Sequence, residues 1–200
     1  EISLGLVGSE MCIRDRSTML YIMRHGRTDW NERNKLQGRT DIPLNAAGRK
    51  MAEEAAAVYK NVPLDVCYCS PLARARQTAE IFLKNRNIPI ITDDRLVEMS
   101  FGIYEGTEQS ARALDCPINI LFKEPEKYKA VEGGESIEKL FERTGDFLRN
   151  VVEPQLEDGK NIVIIGHGAM NSGIICQVRG LSTEHFWDAG INQCELLQLK

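Results

Sequence analysis

The stretch Met19–Asn31 reads MLYIMRHGRTDWN. Its apolar run, Leu20–Met23, has the length of one buried strand and stops abruptly at Arg24-His25-Gly26-Arg27. The chain contains three histidines, and one of them sits here between two arginines, where a strand breaks into a turn. Strands and helices alternate onward from that break. Asn45 can cap a helix running to about Tyr59. Leu64–Ser70 is β-like, and Pro71 opens a helix through about Lys84. Ile88–Thr92 reads as a further strand. The span from Glu135 to about Glu157 reads as one long amphipathic helix, with Ile137, Leu140, Phe141, Thr144, Phe147, Leu148 and Val151 on one stripe. Asn161–Gly166, NIVIIG, is the clearest buried strand; a helix follows from about Ala169, and CELLQLK closes the chain as a last strand. This β-α-β-α order implies an α/β fold of three layers: a doubly wound, mostly parallel sheet with helices on both faces.

Length and composition bound the rest. Two hundred residues are enough for one domain with a full core. A hydrophobic fraction of 42% with 27% charged residues is ordinary for a globular chain. No apolar run nears the roughly 20 residues of a membrane span. The net charge of −4 gives no general attraction to nucleic acid or an anionic membrane, so an anionic substrate would need positive charge concentrated locally. The first eighteen residues are expected to be a non-native or disordered leader, leaving 19–200 as a single domain that starts naturally at Met19. The six cysteines show no paired metal spacing. Alternation along Cys67-Tyr68-Cys69 is taken to point the two thiols to opposite faces, and reduced, buried cysteines in a cytoplasmic protein are expected. Oligomeric state is open. Ser100–Glu132 is less regular and reads as an insertion covering the substrate end of the sheet.

In open α/β sheets ligands bind beyond the carboxyl ends of the strands. Arg24-His25-Gly26 follows the first strand, Arg74 lies in the first helical turn after CYCS, Glu98 follows IPIITDD, and His167 follows the strongest strand. A neutral imidazole with one ring nitrogen held by a hydrogen bond is a competent nucleophile toward phosphorus. Arginines bind phosphate oxygens in pairs, and a buried carboxyl group can protonate a leaving oxygen. His185, Arg76 and Trp30 read as structural residues.

The blocks LYIMRHGRTDWN, LQGRTDIPLNAAG, SPLARARQTAE, LVEMSFGIYEG, GGES and VIIGHGAMN, in that order, resemble the signature of the histidine phosphatase superfamily in its phosphoglycerate-mutase-like branch, of the alpha-ribazole phosphatase or broad-specificity type. The resemblance implies that His25 is phosphorylated in a covalent intermediate, with Arg24, Arg74 and His167 completing the phosphate pocket and Glu98 as proton donor. It implies phosphate or substrate contacts from Asn31, Gln37, Gly38 and the Gly168 amide. It also implies a metal-independent, cofactor-free phosphomonoester hydrolase acting on a small phosphorylated metabolite. Members of this type act on alpha-ribazole phosphate, sugar phosphates and phosphoglycerates. Two alternatives remain. One is a cofactor-dependent phosphoglycerate mutase, disfavoured by a short Phe101–Gly134 stretch with one arginine, Arg112. The other is a non-catalytic phosphate-binding module. Arg27, where the family often has an acid or amide, and Tyr104, where many members have tryptophan, are departures.

Overall fold

The computed structural model describes residues 18–200; the leader expectation and Cys12 therefore fall outside the described residues, apart from Thr18. In chain order the elements are β1 (Leu20–Arg24), α1 (Asp29–Glu32), α2 (Ala46–Val58), β2 (Val66–Cys69), α3 (Ala73–Phe82) and β3 (Ile90–Thr92), then α4 (Asn119–Lys123), α5 (Ile137–Phe147), α6 (Glu153–Glu157), β4 (Ile162–Gly166), α7 (Gly168–Arg179) and β5 (Leu196–Gln198). The strands form one sheet in the order β3-β2-β4-β1-β5, parallel except for β5, which runs antiparallel to β1. The three inner strands are buried on both faces, which is why they read as unbroken apolar runs. Leu20, Ile22, Val66, Tyr68, Ile162 and Ile164 pack toward α5 and α7. Tyr21, Met23, Cys67, Cys69, Val163 and Ile165 pack toward α2 and α3.

Four expectations need correction. Cys67 and Cys69 share a face, because a strand repeats every two residues and only Tyr68 between them turns the other way. The third strand is shorter than Ile88–Thr92 and lies exposed at the sheet's edge. The helix after Pro71 begins only at Ala73, although Arg74 does fall in its first turn. The span from Glu135 to Glu157 is not one regular helix. Ser136 caps it, and Leu148–Val152 is a π-turn in which the Glu153 N–H donates to the Leu148 carbonyl. Pro154 follows directly and has no N–H to continue an α ladder. The extra residue in that turn shifts the stripe, so that Val152 is buried and Val151 only half-buried.

The turn after β1 is clamped from both sides. Gly26 N–H donates to Thr78 Oγ1 of α3 at 3.0 Å, and Asn45 N–H donates to the Arg27 carbonyl at 3.0 Å. Asn45 also caps α2 through its side chain, which accepts from Gly48 N–H. Gly48 sits flush against the turn: a Cβ there would fall on the Arg27 backbone. Helix propensity alone would make Gly48→Ala stabilising by up to about 1 kcal/mol. The expected outcome is the reverse, a loss of about 1–3 kcal/mol from overpacking against backbone, read as a lower urea midpoint at unchanged slope.

Candidate active site

The in-register pairing of β1 and β4 sets Arg24 opposite Gly166, so the two histidines that follow these residues come together. His25 N–H donates to the Gly166 carbonyl at 2.9 Å, and the imidazole centroids of His25 and His167 lie 5.2 Å apart. His25 Nδ1–H donates to the Gly26 carbonyl at 2.6 Å. That bond puts the proton on Nδ1 and leaves Nε2 with its lone pair free. Burial, reinforced by Arg74 and Arg24, drives the His25 pKa well below the usual imidazole value, so the ring is neutral.

His167 is fully buried, and its Nε2 lies 2.7 Å from Ser70 Oγ. Ser70 Oγ accepts from Leu72 N–H and has its own proton to give to His167 Nε2, the arrangement in which the ring proton sits on Nδ1. Nδ1 has no partner within the described residues. Burial first, then Arg74 and His25, lowers this pKa well below its usual value too.

Arg74 has no exposed surface; its Nη1 donates to the Thr40 carbonyl at 3.0 Å and its Nη2 to the Gly38 carbonyl at 2.6 Å. Burial lowers its pKa to about 10, which leaves it charged at neutral pH. The Nε atoms of Arg74 and of Arg24 are buried without an acceptor.

Glu98 closes the opposite side. Its Oε1 accepts from Met99 N–H (2.7 Å) and Met170 N–H (2.9 Å), and its Oε2 from Ala169 N–H (3.1 Å), so it caps the start of α7. Burial raises its pKa, outweighing those amides and Arg74.

An inner cavity of about 280 Å³ is lined by Arg24, His25, Asn31, Gln37, Glu98 and Gly168, with Phe101, Phe122 and Trp187 as an aromatic roof. Phe122 and Trp187 stack at 5.4 Å, and Trp187 Nε1–H donates to the Leu121 carbonyl, tying α4 to the segment before β5. Asn31 closes a capping box with Thr28 and accepts from Gln193 Nε2 at 2.9 Å. Thr28 Oγ1 lies 2.8 Å from Gln37 Oε1. Gly38 stands apart from the cavity wall and contributes its carbonyl to Arg74 instead. Among the described residues no three His, Cys, Asp or Glu side chains group as a metal site.

Several residues here went unread in the sequence. Ser70 orients His167, and Thr78 bridges Gly26 N–H to the Arg74 carbonyl. Glu105 accepts from the amides of Arg39, Thr40 and Phe101, folding the Gln37 loop beneath the cavity. Lys35, Phe122, Trp187 and the 190–193 loop also line the site. The residues read as structural behave as such. His185 is an exposed partner of Asp188, Arg76 caps the Pro71 carbonyl, and Trp30 packs on Gly106 with Lys35 over its ring.

The sequence model of the histidine phosphatase superfamily (branch 1) matches residues 20–200. The chain is 34% identical over 177 residues to an uncharacterised phosphatase, PhoE, of Bacillus subtilis (strain 168), covering 88% of this chain and 86% of that one. It is 31% identical over 169 residues to a 2,3-bisphosphoglycerate-dependent phosphoglycerate mutase of Cytophaga hutchinsonii, covering 83% and 79%. Among solved structures, YhfR of Bacillus stearothermophilus superposes with a TM-score of 0.81 at 28% identity, over 90% of each chain.

The buried ionisable groups give the fold a pH signature. Below about pH 6.5 the unfolded chain takes up imidazole protons that folded His25 and His167 refuse. Their contribution is therefore full above that pH and lost below it, by up to about 1.4 kcal/mol per histidine per pH unit. Glu98 works in the opposite sense: its pKa is raised on folding, so its contribution is present below the ordinary carboxyl value and lost as pH rises. Urea midpoints taken from pH 7.5 down to 4.5 are expected to fall more shallowly in His167→Gln and, toward the acid end, more steeply in Glu98→Gln than in wild type.

Proposed function

We propose that this chain, which belongs to the histidine phosphatase superfamily (branch 1), hydrolyses phosphomonoesters of small metabolites through a phosphohistidine at His25. The observation that carries this reading is that a neutral imidazole with a free Nε2, the Arg24 guanidinium and a buried carboxyl group with a raised pKa line one cavity, with Arg74 and His167 buried beside the imidazole. His25 Nε2 attacks phosphorus and forms the N–P bond as the P–O bond to the alcohol breaks. Arg24, Arg74 and His167 Nδ1–H receive the charge on the non-bridging oxygens. Glu98 gives its proton to the leaving alkoxide, then takes one from water as that water attacks phosphorus, releasing inorganic phosphate and restoring His25. Asn31, Gln37 and the Gly168 amide steady the phosphate, and Gly38 acts through Arg74. We assign to Ser100–Glu132 the role of cover over the substrate. The unpaired Cys67, Cys69, Cys116, Cys176 and Cys194 support a reducing, cytoplasmic setting.

One observation favours the second reading, phosphoryl return to a sugar acid: the cavity opens toward a strongly basic basin. That basin, about 750 Å³ in volume, is also a route for water to the phosphohistidine, which favours hydrolysis. Incubation with 3-phosphoglycerate and trace 2,3-bisphosphoglycerate separates the two; inorganic phosphate is expected, and 2-phosphoglycerate would establish the mutase.

Two variants test the roles. His25→Ala is expected to abolish hydrolysis of p-nitrophenyl phosphate and acid-labile labelling by substrate; wild-type turnover in this variant overturns the assignment. Glu98→Gln is expected to slow glycerol 3-phosphate about 10²–10⁴-fold. It should slow p-nitrophenyl phosphate far less, because p-nitrophenolate leaves without a proton. Equal losses on both substrates would remove Glu98 from the acid role.

A further inference from the structure

Of the sequence blocks, GGES (Gly133–Ser136) contributes nothing to the chemistry at His25, although its carboxylate is only 8% exposed. Gly134 pairs with Phe101, and Ser136 caps α5. Glu135, between them, holds two guanidinium groups. Arg143 reaches its carboxylate with both prongs, Nε to Oε1 at 2.8 Å and Nη2 to Oε2 at 2.9 Å, and Arg39 Nη2 lies 3.3 Å from Oε1. Each arginine then donates onward to a backbone carbonyl: Arg143 Nη1 to that of Arg95 at 2.6 Å, and Arg39 Nε to that of Glu98 at 3.2 Å. Glu135 N–H donates to the Ser100 carbonyl at 2.9 Å. The segment that carries Glu98 is thus gripped before, at and after that residue, and every grip leads back to Glu135.

The grip at Glu98 falls on a peptide group with two tasks. The carbonyl that accepts from Arg39 and the Met99 N–H that donates to Glu98 Oε1 at 2.7 Å belong to one planar unit. Fixing its oxygen therefore fixes the direction of its N–H. Oε1 accepts from that amide and from Met170 N–H, whereas Oε2 accepts from Ala169 N–H alone, so Oε2 is the oxygen with a lone pair left for the acid proton. A Cβ at Gly168 would lie 3.8 Å from both Glu98 Oε2 and Arg24 Cζ, which puts this oxygen at the cavity wall that Gly168 and Arg24 share. Were the peptide to turn, Oε1 would lose one of its two donors, and the carboxyl group would no longer be held with Oε2 at that wall.

We propose that Arg39, aimed by Glu135, is a positioning residue for the general acid: by holding the Glu98–Met99 peptide it keeps Oε2 directed at the leaving oxygen. The inference rests on the acid role proposed for Glu98 and adds no group that touches substrate. Its effect falls on esters whose alcohol needs a proton and spares those whose alcohol leaves without one. The Arg39 side chain is 47% exposed, and removing it leaves the Glu135–Arg143 pair in place.

Turnover of glycerol 3-phosphate and of p-nitrophenyl phosphate by Arg39→Met tests this. The kcat for glycerol 3-phosphate is expected to fall about 10- to 100-fold, the scale for a reacting group displaced by up to about 1 Å. The rate on p-nitrophenyl phosphate should stay close to wild type. In a Glu98→Gln background Arg39→Met is expected to add no further selective loss, because both changes disable one device. Glu135→Gln keeps the side chain's shape and removes the charge that aims Arg39, so it should show the same selectivity; where it does not fold, Arg39→Met carries the test alone. A merely structural role reads differently: a smaller folded fraction slows both esters by one factor and multiplies the loss in Glu98→Gln. Equal slowing of both esters by Arg39→Met, wild-type turnover of glycerol 3-phosphate in either variant, or additivity with Glu98→Gln overturns the inference. Equal losses in Glu98→Gln itself, or a wild type that hydrolyses neither ester, overturn the function proposed above, and this inference falls with it.

Discussion

Positive charge held out of water without its counter-ion is the constraint on which this architecture turns. Arg74 is wholly buried, yet only two backbone carbonyls face its guanidinium, and the Nε atoms of Arg24 and Arg74 have no acceptor. Isolated buried cations are strongly unfavourable. The fold sustains them because the carbonyls of Gly38 and Thr40 lie on a loop that Glu105 holds in place, and because Glu98 lies nearby to raise both pKa values. Burial first, and this positive field after it, keeps both imidazoles neutral. On the function proposed above, a phosphate dianion bound among these groups would supply the compensating negative charge.

The sheet converts this strain into geometry. Parallel pairing ends β1, β4 and β2 at the same level, and the groups just past those ends, His25, His167 and Ser70, are linked through Gly166, Ile165 and one another. Glu98 arrives from a different layer but is fixed on the first amides of α7, the helix that His167 precedes. Glu98 and His167 are therefore positioned by one helix terminus. A shift of either is felt by the other.

The strand ends were legible because a buried parallel strand is an unbroken apolar run, and a polar residue straight after it is conspicuous. Leu20–Arg24 and Ile162–Gly166 are such cases, and Asn45 announced its helix through capping chemistry. Ser70, Thr78 and Glu105 were not legible, since their meaning lies in partners far away in sequence: Ser70 meets His167, Thr78 meets Gly26, and Glu105 meets Arg39 and Thr40. The segment before β5 carries no periodic pattern, so its approach to Asn31 through Gln193 could only be seen folded. Arg27 stood out as a departure, but its place in a basin without acids depends on Lys35, Arg112 and Lys123 converging from three other places in the chain. The π-turn at Leu148–Val152 broke a helical stripe that a constant period of 3.6 extended too far.

The excursion between Phe101 and Gly134 has a narrow neck. Those two residues pair as an isolated bridge, reinforced by Glu135 N–H donating to the Ser100 carbonyl. The chain leaves the sheet's rim and returns to it at that stitch, and the segment between is tied down again where Lys35 pairs with Glu108, Leu36 with Gly106 and Thr107, and Glu105 with Arg39 and Thr40. Closing such a loop costs only about 0.6 kcal/mol more for each doubling of its length. Length and chemistry can therefore vary around exposed Leu114 at small cost to the fold below, whereas Ile118, Leu121 and Tyr128 belong to its core, so the tip of this region is where one floor can be fitted to new substrates.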